Sequence, residues 1–259
     1  MSHSYVGILD GWRPTLRGQP GQNYIVATAG PRRSSRKAKA KPGKVDVLVR
    51  SLEDIKSEEQ AQNVLDEVKP QYVVWSAGAG GKGGSSRTYA IDRDAAMHFI
   101  HASVHTPSIT KFLMVSYNCN RRKQPSWWND DQWAHAQKVN LETLKDYYAA
   151  KINADECLTA LAKQRGGGFA AIVLRPGDLT DDVAAGRVTL GQTAAQGQVR
   201  RANVAAVAAE LLGNDKANGW YDLLEGDEDI SMAVERVVRD KVDCVEGEDV
   251  DAMRSKYKL

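Results

Sequence analysis

Apolar segments and amphipathic segments alternate along the chain from Lys44 onward. The apolar segments are short and lack polar alternation, which predicts buried strands, and the segments between them have helical spacing. The predicted strands are 45–49, 72–75, 111–116, 169–174 and 220–224, and the predicted helices are 57–68, 95–103, 141–164, 204–212 and 230–238. This order predicts an α/β fold with a doubly wound parallel sheet, in which ligands bind at the carboxyl ends of the strands.

Residues 1–43 do not follow this pattern. Only residues 24–29 have the composition of a strand, and residues 32–44 contain seven basic side chains and no acidic one. Basic segments of this kind are most often solvated linkers, and the alternative is a patch that binds phosphate or directs nuclear localisation. We therefore predict an atypical, partly disordered segment at 1–43, a domain at 44–241 and a C-terminal tail at 242–259.

The helix predicted at 141–164 carries the candidate chemistry. Tyr147 and Lys151 are four residues apart, so their side chains share one helix face, and Ala154 and Leu158 continue that face toward the interior. Burial disfavours the ammonium form of a lysine, and a neighbouring ammonium favours the phenolate form of a tyrosine. Such a pair brings the tyrosine proton within reach of acid–base chemistry. The alternative is an amphipathic helix whose polar tips reach water.

The Gly-rich sequence 78–83 matches Gly-x-Gly-x-x-Gly after a predicted strand. In a dinucleotide fingerprint, the turn is followed by one helix and by a strand that ends in an acidic residue about 20 positions on. Here the next predicted strand ends at Ser116 and Tyr117, which is farther along the chain and provides no acidic residue. A Walker-type loop would need Ser or Thr after Lys82, where this chain has Gly83. We interpret the sequence as a loop that lets a ligand approach the backbone closely.

Three histidines, His98, His101 and His105, have helical spacing that could be part of a metal site. His105 is expected past the helix end, and no further residue offers itself as the fourth ligand. We therefore expect structural or exposed histidines and no metal.

Half of the six tryptophans, Trp127, Trp128 and Trp133, lie in a polar insertion at 121–137. They could form a lid over an apolar substrate, or they could anchor a long loop to the body of the protein. The anchor is the interpretation that we favour.

Composition excludes some classes of function. The 259 residues carry a net charge of +2, so no global field indicates nucleic acid or a membrane as partner. Three widely spaced cysteines indicate a reducing compartment, and no apolar run reaches the ~20 residues of a membrane span. We expect a soluble cytoplasmic protein, with the nucleus as alternative, that binds a small-molecule substrate; the sequence gives no oligomeric state.

Six segments in their order resemble the short-chain dehydrogenase/reductase superfamily, and within it the atypical, NmrA-like NAD(P)-binding proteins of fungal type. They are YVVWSAG at 72–78, AIDRDAA at 90–96, FLMVS at 112–116, YYAAK at 147–151, LRPGDLT at 174–180 and RANVA at 201–205. The resemblance covers residues 45–238. It implies a Rossmann-like NAD(P)-binding domain at 44–241, NADP as cofactor with NAD as alternative, and hydride transfer to or from a small carbonyl or alcohol.

The resemblance also implies roles for single residues. Tyr147 would be the general acid or base, and Lys151 would hold the nicotinamide ribose and lower the tyrosine pKa. Ser116 would orient the substrate carbonyl, with Tyr117 as the alternative because the insertion separates Ser116 from Tyr147 by more than usual. The other implied cofactor contacts are Ala77 and Gly78 along the adenosine half and Pro176, Gly177, Asp178 and Leu179 beside the nicotinamide.

The N-terminus departs from this family. Relatives begin with a strand, a Gly-x-x-Gly-x-x-Gly turn and a helix whose N-terminus binds the pyrophosphate, and residues 1–22 show no such unit. Residues 24–29 would stand for the second strand, followed by Arg32 or Arg33 at a 2′-phosphate. We expect a missing or altered first β-α unit, an unpaired edge on the neighbouring strand and impaired cofactor binding. The alternative to an enzyme is a non-catalytic dinucleotide-sensing or protein-binding module.

Overall fold

The computed structural model describes residues 3–9, 24–30, 44–80 and 83–258, with backbone pairing alone for most of the chain before residue 50. The chain divides into two compact units. The first comprises Met1–Phe112 and Gly167–Phe169, and the second comprises Leu113–Gly166 and Ala170–Leu259. The basic run at 32–43, including the predicted Arg32 and Arg33, lies outside the described residues.

The first unit contains four strands and three α-helices in its described part. They are β1 (His3–Leu9), β2 (Tyr24–Gly30), β3 (Lys44–Val49), α1 (Glu58–Val68), β4 (Tyr72–Ser76), α2 (Gly84–Thr88) and α3 (Ala96–His105), with a 3₁₀ turn at Leu52–Asp54 and a π-helical segment at Tyr89–Ala95. The strand order is β4-β1-β2-β3. β1 runs parallel to β4, whereas β2 is antiparallel to both β1 and β3.

The strand β1 was not predicted from the sequence, because a short segment that begins with polar residues and contains Gly7 has a weak strand pattern. Its pairing corrects one expectation. β4 does not have an unpaired edge, since Tyr5–Leu9 of β1 pair with Tyr72–Ser76. The β1–β2 pair is antiparallel, unlike the parallel strands of a βαβ unit.

Local sequence explains where α1 begins. Ser57 caps α1 by accepting a hydrogen bond from the Gln60 backbone N–H at 3.2 Å, and the Gln60 side chain accepts from Lys56 N at 2.6 Å, which resembles a capping box. In the core, the buried rings of Trp75 and Phe99 pack with their centroids 5.6 Å apart. These contacts join β4 to α3.

The strand β5 (Lys111–Val115) begins in the first unit and continues into the second. The second unit further contains α4 (Asp130–Lys138), α5 (Lys145–Arg165), β6 (Ala170–Pro176), β7 (Asp178–Thr180), β8 (Arg187–Gly191), β9 (Gln198–Arg200), α6 (Arg201–Gly213), β10 (Gly219–Glu225), β11 (Glu228–Asp229), α7 (Ile230–Arg239) and α8 (Val250–Lys256). Its strand order is β11-β8-β10-β6-β5, and β7 pairs with β9 separately. β6 and β10 are parallel, whereas β8 is antiparallel to β10. The predicted α/β class with a mostly parallel sheet is confirmed.

The long predicted helix is split near its start. A π-helical segment at Val139–Thr143 precedes α5, which ends before Gly166. Gly166 has a φ of 73°, a backbone conformation that glycine adopts without strain. On α5 the predicted inward face is confirmed, since Lys151, Ala154 and Leu158 are buried.

The Trp-rich insertion packs onto the second unit. Trp127 and Trp128 both donate their indole N–H to Thr193 O, at 3.1 and 2.7 Å, and Trp128 is buried with Cys119 and Ala195. Two tryptophans that share one carbonyl acceptor fix the loop to the body of this unit. This geometry favours the anchor over the lid.

The C-terminal helix α8 packs on α5. Lys256 Nζ donates to the buried carboxylate of Glu156 at 2.7 Å, and Tyr257 Oη donates to Asn153 O at 2.7 Å. Arg122 from the insertion also pairs with Glu156. In the described part of the chain no helix is long and apolar enough to cross a membrane.

Replacing Trp128 by Ala should lower the melting temperature, because truncating a buried tryptophan costs about 3–5 kcal/mol. Trp133→Ala is the matched control, since Trp133 is only partly buried and should cost less. Thermal unfolding of both variants, followed by circular dichroism, measures the difference. An unchanged melting temperature for Trp128→Ala would contradict the anchoring role.

Candidate functional site

The predicted pair Tyr147 and Lys151 lies in the first two turns of α5. Lys151 is 1% exposed, and its ammonium donates to Val115 O, at the end of β5, at 2.8 Å. Tyr147 is half-buried, and its ring packs against the Tyr117 ring with centroids 5.3 Å apart. The helix therefore brings both predicted residues to the point where β5 ends.

Ser116 immediately follows β5, and its hydroxyl faces a carboxyl group that the sequence analysis did not single out. Ser116 Oγ lies 2.6 Å from Asp155 Oδ2, and Asn120 Nδ2 donates to the same Oδ2 at 2.7 Å and to Ser116 Oγ at 3.1 Å. Asp155 is four residues after Lys151 on α5, so helical spacing could have found it. Ser116, Asn120 and Asp155 form what we call the Asp155 cluster.

The Asp155 carboxyl is fully buried, and this burial raises its pKa. The positive charges of Lys151 and Arg175 and the hydrogen bonds from Ser116 and Asn120 act in the opposite direction. Burial has the largest effect, so the neutral acid is favoured more strongly than in an exposed aspartate.

Tyr117, the alternative to Ser116, has its hydroxyl engaged. Tyr117 Oη donates to Asn140 Oδ1 at 2.8 Å, and Asn140 Nδ2 donates in turn to Cys119 O at 2.7 Å. Burial raises the pKa of the Tyr117 phenol, so this residue stays neutral across the physiological range. Tyr117 can orient Tyr147 by ring packing, but it is not a proton acceptor.

A buried ion cluster lies at the end of β6 and on β10. Arg175 and Asp222 are a register pair with Arg175 Nε 2.9 Å from Asp222 Oδ1, and Arg121 Nη2 donates to Asp222 Oδ2 at 3.2 Å. All three side chains are buried, and the Arg175 guanidinium stacks on Trp220 at 4.4 Å. Arg175 also donates to Asn118 O at 2.7 Å, which fixes the loop between Ser116 and Arg121.

The residues predicted beside the nicotinamide follow directly from β6. Asn118 N donates to Pro176 O at 3.0 Å, and Asp178 N donates to Gly197 O at 2.9 Å. A Cβ at Gly177 would lie 2.4 Å from Gly197 O, so glycine is required by the close approach of two backbone segments. The side chains of Asp178 and Leu179 are exposed, and the structure places Pro176–Leu179 in the same unit as Tyr147 and Lys151.

The residues predicted along the adenosine belong to the first unit. Ala77 is buried after β4, and a Cβ at Gly78 would lie 2.7 Å from Asp92 Oδ1. The other oxygen, Asp92 Oδ2, accepts from Ala79 N at 2.8 Å. The close neighbour of this Gly-rich turn is therefore a protein carboxylate, which explains why glycine occupies position 78.

All three histidines lie on α3. His105 ends α3, contrary to the expectation that it lies past the helix end, and its Nδ1 lies 2.6 Å from Glu58 Oε1. Burial lowers the pKa of His101. Within the described ranges no group of His, Cys, Asp and Glu could hold a metal ion.

Comparison with known proteins identifies the family. The sequence profile of a family described as NAD(P)H-binding matches residues 21–215, about three quarters of the chain. The chain belongs to this NAD(P)H-binding family. A nicotinamide dinucleotide is thus the class of cofactor that this family binds.

Two relatives support this assignment of the NAD(P)H-binding protein. The UPF0659 protein C216.03 of Schizosaccharomyces pombe is 30% identical over 188 residues, covering 71% of this chain and 73% of the relative. The uncharacterized sugar epimerase YhfK of Bacillus subtilis is 31% identical over 167 residues, covering 64% and 68%.

Solved structures resemble the NAD(P)H-binding protein in fold. A candidate NAD-dependent epimerase/dehydratase of Bacillus halodurans has a TM-score of 0.57 at 24% identity, covering 73% of this chain and 77% of its own. The oxidoreductase ylbE of Lactococcus lactis has a TM-score of 0.55 at 21% identity, covering 72% and 75%. At these identities the likeness shows the fold alone.

Replacing Asp222 by Ala should destabilise the NAD(P)H-binding protein by about 3–5 kcal/mol, because two buried guanidinium groups would lose their shared carboxylate. Asp181→Ala is the matched control, since Asp181 pairs with Arg201 at 2.8 Å on the surface and should change stability by less than about 1 kcal/mol. Urea unfolding of both variants measures the two effects. Equal stability of the two variants would contradict the importance of the buried cluster.

Proposed function

We propose that this protein is an NAD(P)(H)-dependent oxidoreductase that transfers hydride to or from a small carbonyl or alcohol substrate. The observation that carries the proposal is the buried ammonium of Lys151, one helical turn from the half-buried Tyr147, where β5 ends. A fully buried lysine is costly unless its N–H donors have partners. A ligand that supplies acceptors to Lys151 accounts for this arrangement better than packing alone.

The donor count of Lys151 fits a ribose. An ammonium has three N–H donors, and among the described residues Val115 O is its one hydrogen-bond acceptor. The two hydroxyl groups of a nicotinamide ribose would supply the acceptors for the remaining donors. Lys151 would therefore bind the cofactor and fix its distance from Tyr147.

Tyr147 is the proposed general acid and base. When the cofactor is bound, its nicotinamide ring supplies or accepts the hydride. Tyr147 would give its phenolic proton to the carbonyl oxygen in reduction and take it back in oxidation. Ring packing against Tyr117 restricts the direction of the Tyr147 side chain.

Further contacts follow from the family resemblance. We propose Ser116 as the hydroxyl that orients the substrate carbonyl. The cofactor contacts would be Ala77 and Gly78 along the adenosine, Pro176, Gly177, Asp178 and Leu179 beside the nicotinamide, and Arg32 or Arg33 at the 2′-phosphate of NADP. The Ala79 N–H already donates to Asp92, which argues against the 78–83 turn as the pyrophosphate cradle.

A non-catalytic dinucleotide-sensing module is the second candidate. The antiparallel pairing of β1 and β2 favours it, because in a βαβ unit, which normally cradles the pyrophosphate, the strands are parallel. The two candidates differ in turnover. A sensor would bind NAD(P)(H) without oxidising it in the presence of any carbonyl substrate.

Replacing Tyr147 by Phe should lower turnover by roughly 10²-fold or more and leave cofactor affinity nearly unchanged, because only the proton donor is lost. The adjacent Tyr148→Phe is the matched control, since Tyr148 Oη donates to Arg121 O at 3.1 Å and has no proposed chemical role. NAD(P)H oxidation is measured with a panel of small aldehydes, ketones and quinones. Equal turnover of the Tyr147 variant and the parent would end the catalytic assignment.

Lys151→Met should reduce both the affinity for the cofactor and the turnover.

The unmodified protein should bind NADP(H) weakly, in the high micromolar range at best, because the sequence of residues 1–22 lacks the Gly-x-x-Gly-x-x-Gly turn that cradles the pyrophosphate in relatives. Each charge-assisted hydrogen bond of a pyrophosphate cradle is worth around 1.5–3 kcal/mol, and every 1.4 kcal/mol is about tenfold in affinity. Replacing residues 1–22 by a strand, a Gly-x-x-Gly-x-x-Gly turn and a helix should restore tight binding. Calorimetric titration of both proteins tests this, and sub-micromolar binding by the parent would show that another element cradles the pyrophosphate.

A further inference from the structure

The Asp155 cluster restricts what the Ser116 hydroxyl can do. A serine hydroxyl has one O–H donor and two acceptor lone pairs. The Asn120 amide nitrogen, 3.1 Å away, can only donate, so it occupies one lone pair of Ser116 Oγ. The direction of the remaining 2.6 Å contact with Asp155 Oδ2 depends on which oxygen carries the proton.

If Asp155 is ionised, the Ser116 hydroxyl donates its single proton to the carboxylate. Ser116 Oγ then keeps one lone pair and can only accept a hydrogen bond from a substrate. If Asp155 is protonated at Oδ2, the acid donates to Ser116 Oγ. Both lone pairs of Oγ are then filled, by Asp155 and Asn120, and the hydroxyl proton must point away from the cluster.

We propose that Asp155 is held as a neutral acid and that this makes Ser116 a hydrogen-bond donor to the substrate carbonyl. Asp155 is a positioning residue in this scheme, because it acts on the substrate through Ser116. The claim that Ser116 donates to a substrate carbonyl rests on the proposed function. The claim that Asp155 is neutral and donates to Ser116 does not.

Burial and hydrogen bonding both favour the neutral acid. Asp155 is fully buried, and its Oδ1 has no hydrogen-bond partner among the described residues. A carboxylate with one bare oxygen is costly inside a protein, whereas a neutral acid with its O–H donated to Ser116 is less so. The proton on Oδ2 also leaves that oxygen able to accept from Asn120 at 2.7 Å.

The charged groups around Asp155 do not reverse this preference. Lys151 on α5 and Arg175 on β6 favour the ionised form of Asp155. Tyr117 and Tyr257 also interact electrostatically with Asp155, and burial raises the pKa of both phenols, so they carry no charge. The charge of Arg175 is shared with Asp222 at 2.9 Å, and the Lys151 ammonium donates to Val115 O. Burial outweighs the two cations and raises the pKa of Asp155.

The proposal gives a pH dependence with a definite sign. Below the pKa that Asp155 has in the folded protein, Ser116 donates and carbonyl reduction is supported. As the pH rises through that pKa, Asp155 ionises, Ser116 turns its proton toward Asp155, and reduction loses its donor. Because this pKa is raised, the loss begins above the usual range of an aspartate.

Infrared spectroscopy of the full chain with ¹³C-labelled aspartate tests the protonation directly. The parent at neutral pH should show the C=O stretch of a protonated carboxyl group. The band should disappear in Asp155→Asn and shift in Ser116→Ala, which removes the hydrogen-bond acceptor. It should be unchanged in Asp146→Asn, which removes an exposed aspartate of the same helix. If Asp155→Asn fails to fold, the shift in Ser116→Ala remains as the test.

Absence of the band in the parent, or a band that does not move in Ser116→Ala, would overturn the proposal. The kinetic counterpart is a pH profile of NAD(P)H-dependent carbonyl reduction, in which Asp155→Asn should remove the step caused by ionisation of Asp155 and leave the decline at higher pH caused by loss of the Tyr147 proton. An identical pH profile in the parent and in Asp155→Asn would overturn the claim that Ser116 donates to the substrate. A protein that shows the band but does not bind NAD(P)H refutes the proposed function, while the neutral Asp155 stands.

Discussion

The buried contact between Arg175 and Asp222 organises the second unit at the carboxyl ends of its strands. It joins β6 to β10, and through Asn118 O and Arg121 it fixes the loop that follows β5. That loop contains Ser116 and Asn120, so the Asp155 cluster is held in place by an ion pair on neighbouring strands. Two guanidinium groups share one carboxylate in this cluster, and all three side chains are buried, so each depends on the others for its charge partner.

Helical spacing was the most informative part of the sequence for the candidate site. It put Tyr147, Lys151 and Leu158 on one face of α5, where Lys151 and Leu158 are buried and Tyr147 is half-buried. The same spacing contains Asp155, yet a charged residue on an otherwise apolar face is ordinarily attributed to solvent. Its partners Ser116 and Asn120 come from a loop 35 to 39 residues away, and such pairing is set by tertiary structure rather than by local pattern.

The glycine motifs show a different limit of sequence reasoning. Gly78 and Gly177 occur in segments that resemble cofactor-binding motifs, and both are glycines because protein atoms approach their Cα closely. At Gly78 the neighbouring atom belongs to Asp92, and at Gly177 it is Gly197 O. A glycine in a motif indicates that something lies near the backbone, but only the fold shows whether that neighbour is the protein itself.

The reversed direction of β2 changes which part of the chain adjoins the ligand edge of the first unit. Leu9 pairs with both Ser76 and Tyr24, so the chain leaves β1 and enters β2 beside the carboxyl end of β4. It leaves β2 at Gly30, opposite His3, one strand length of about 20 Å from that edge. β2 therefore begins, rather than ends, at the edge of the first unit where parallel strands bind their ligands.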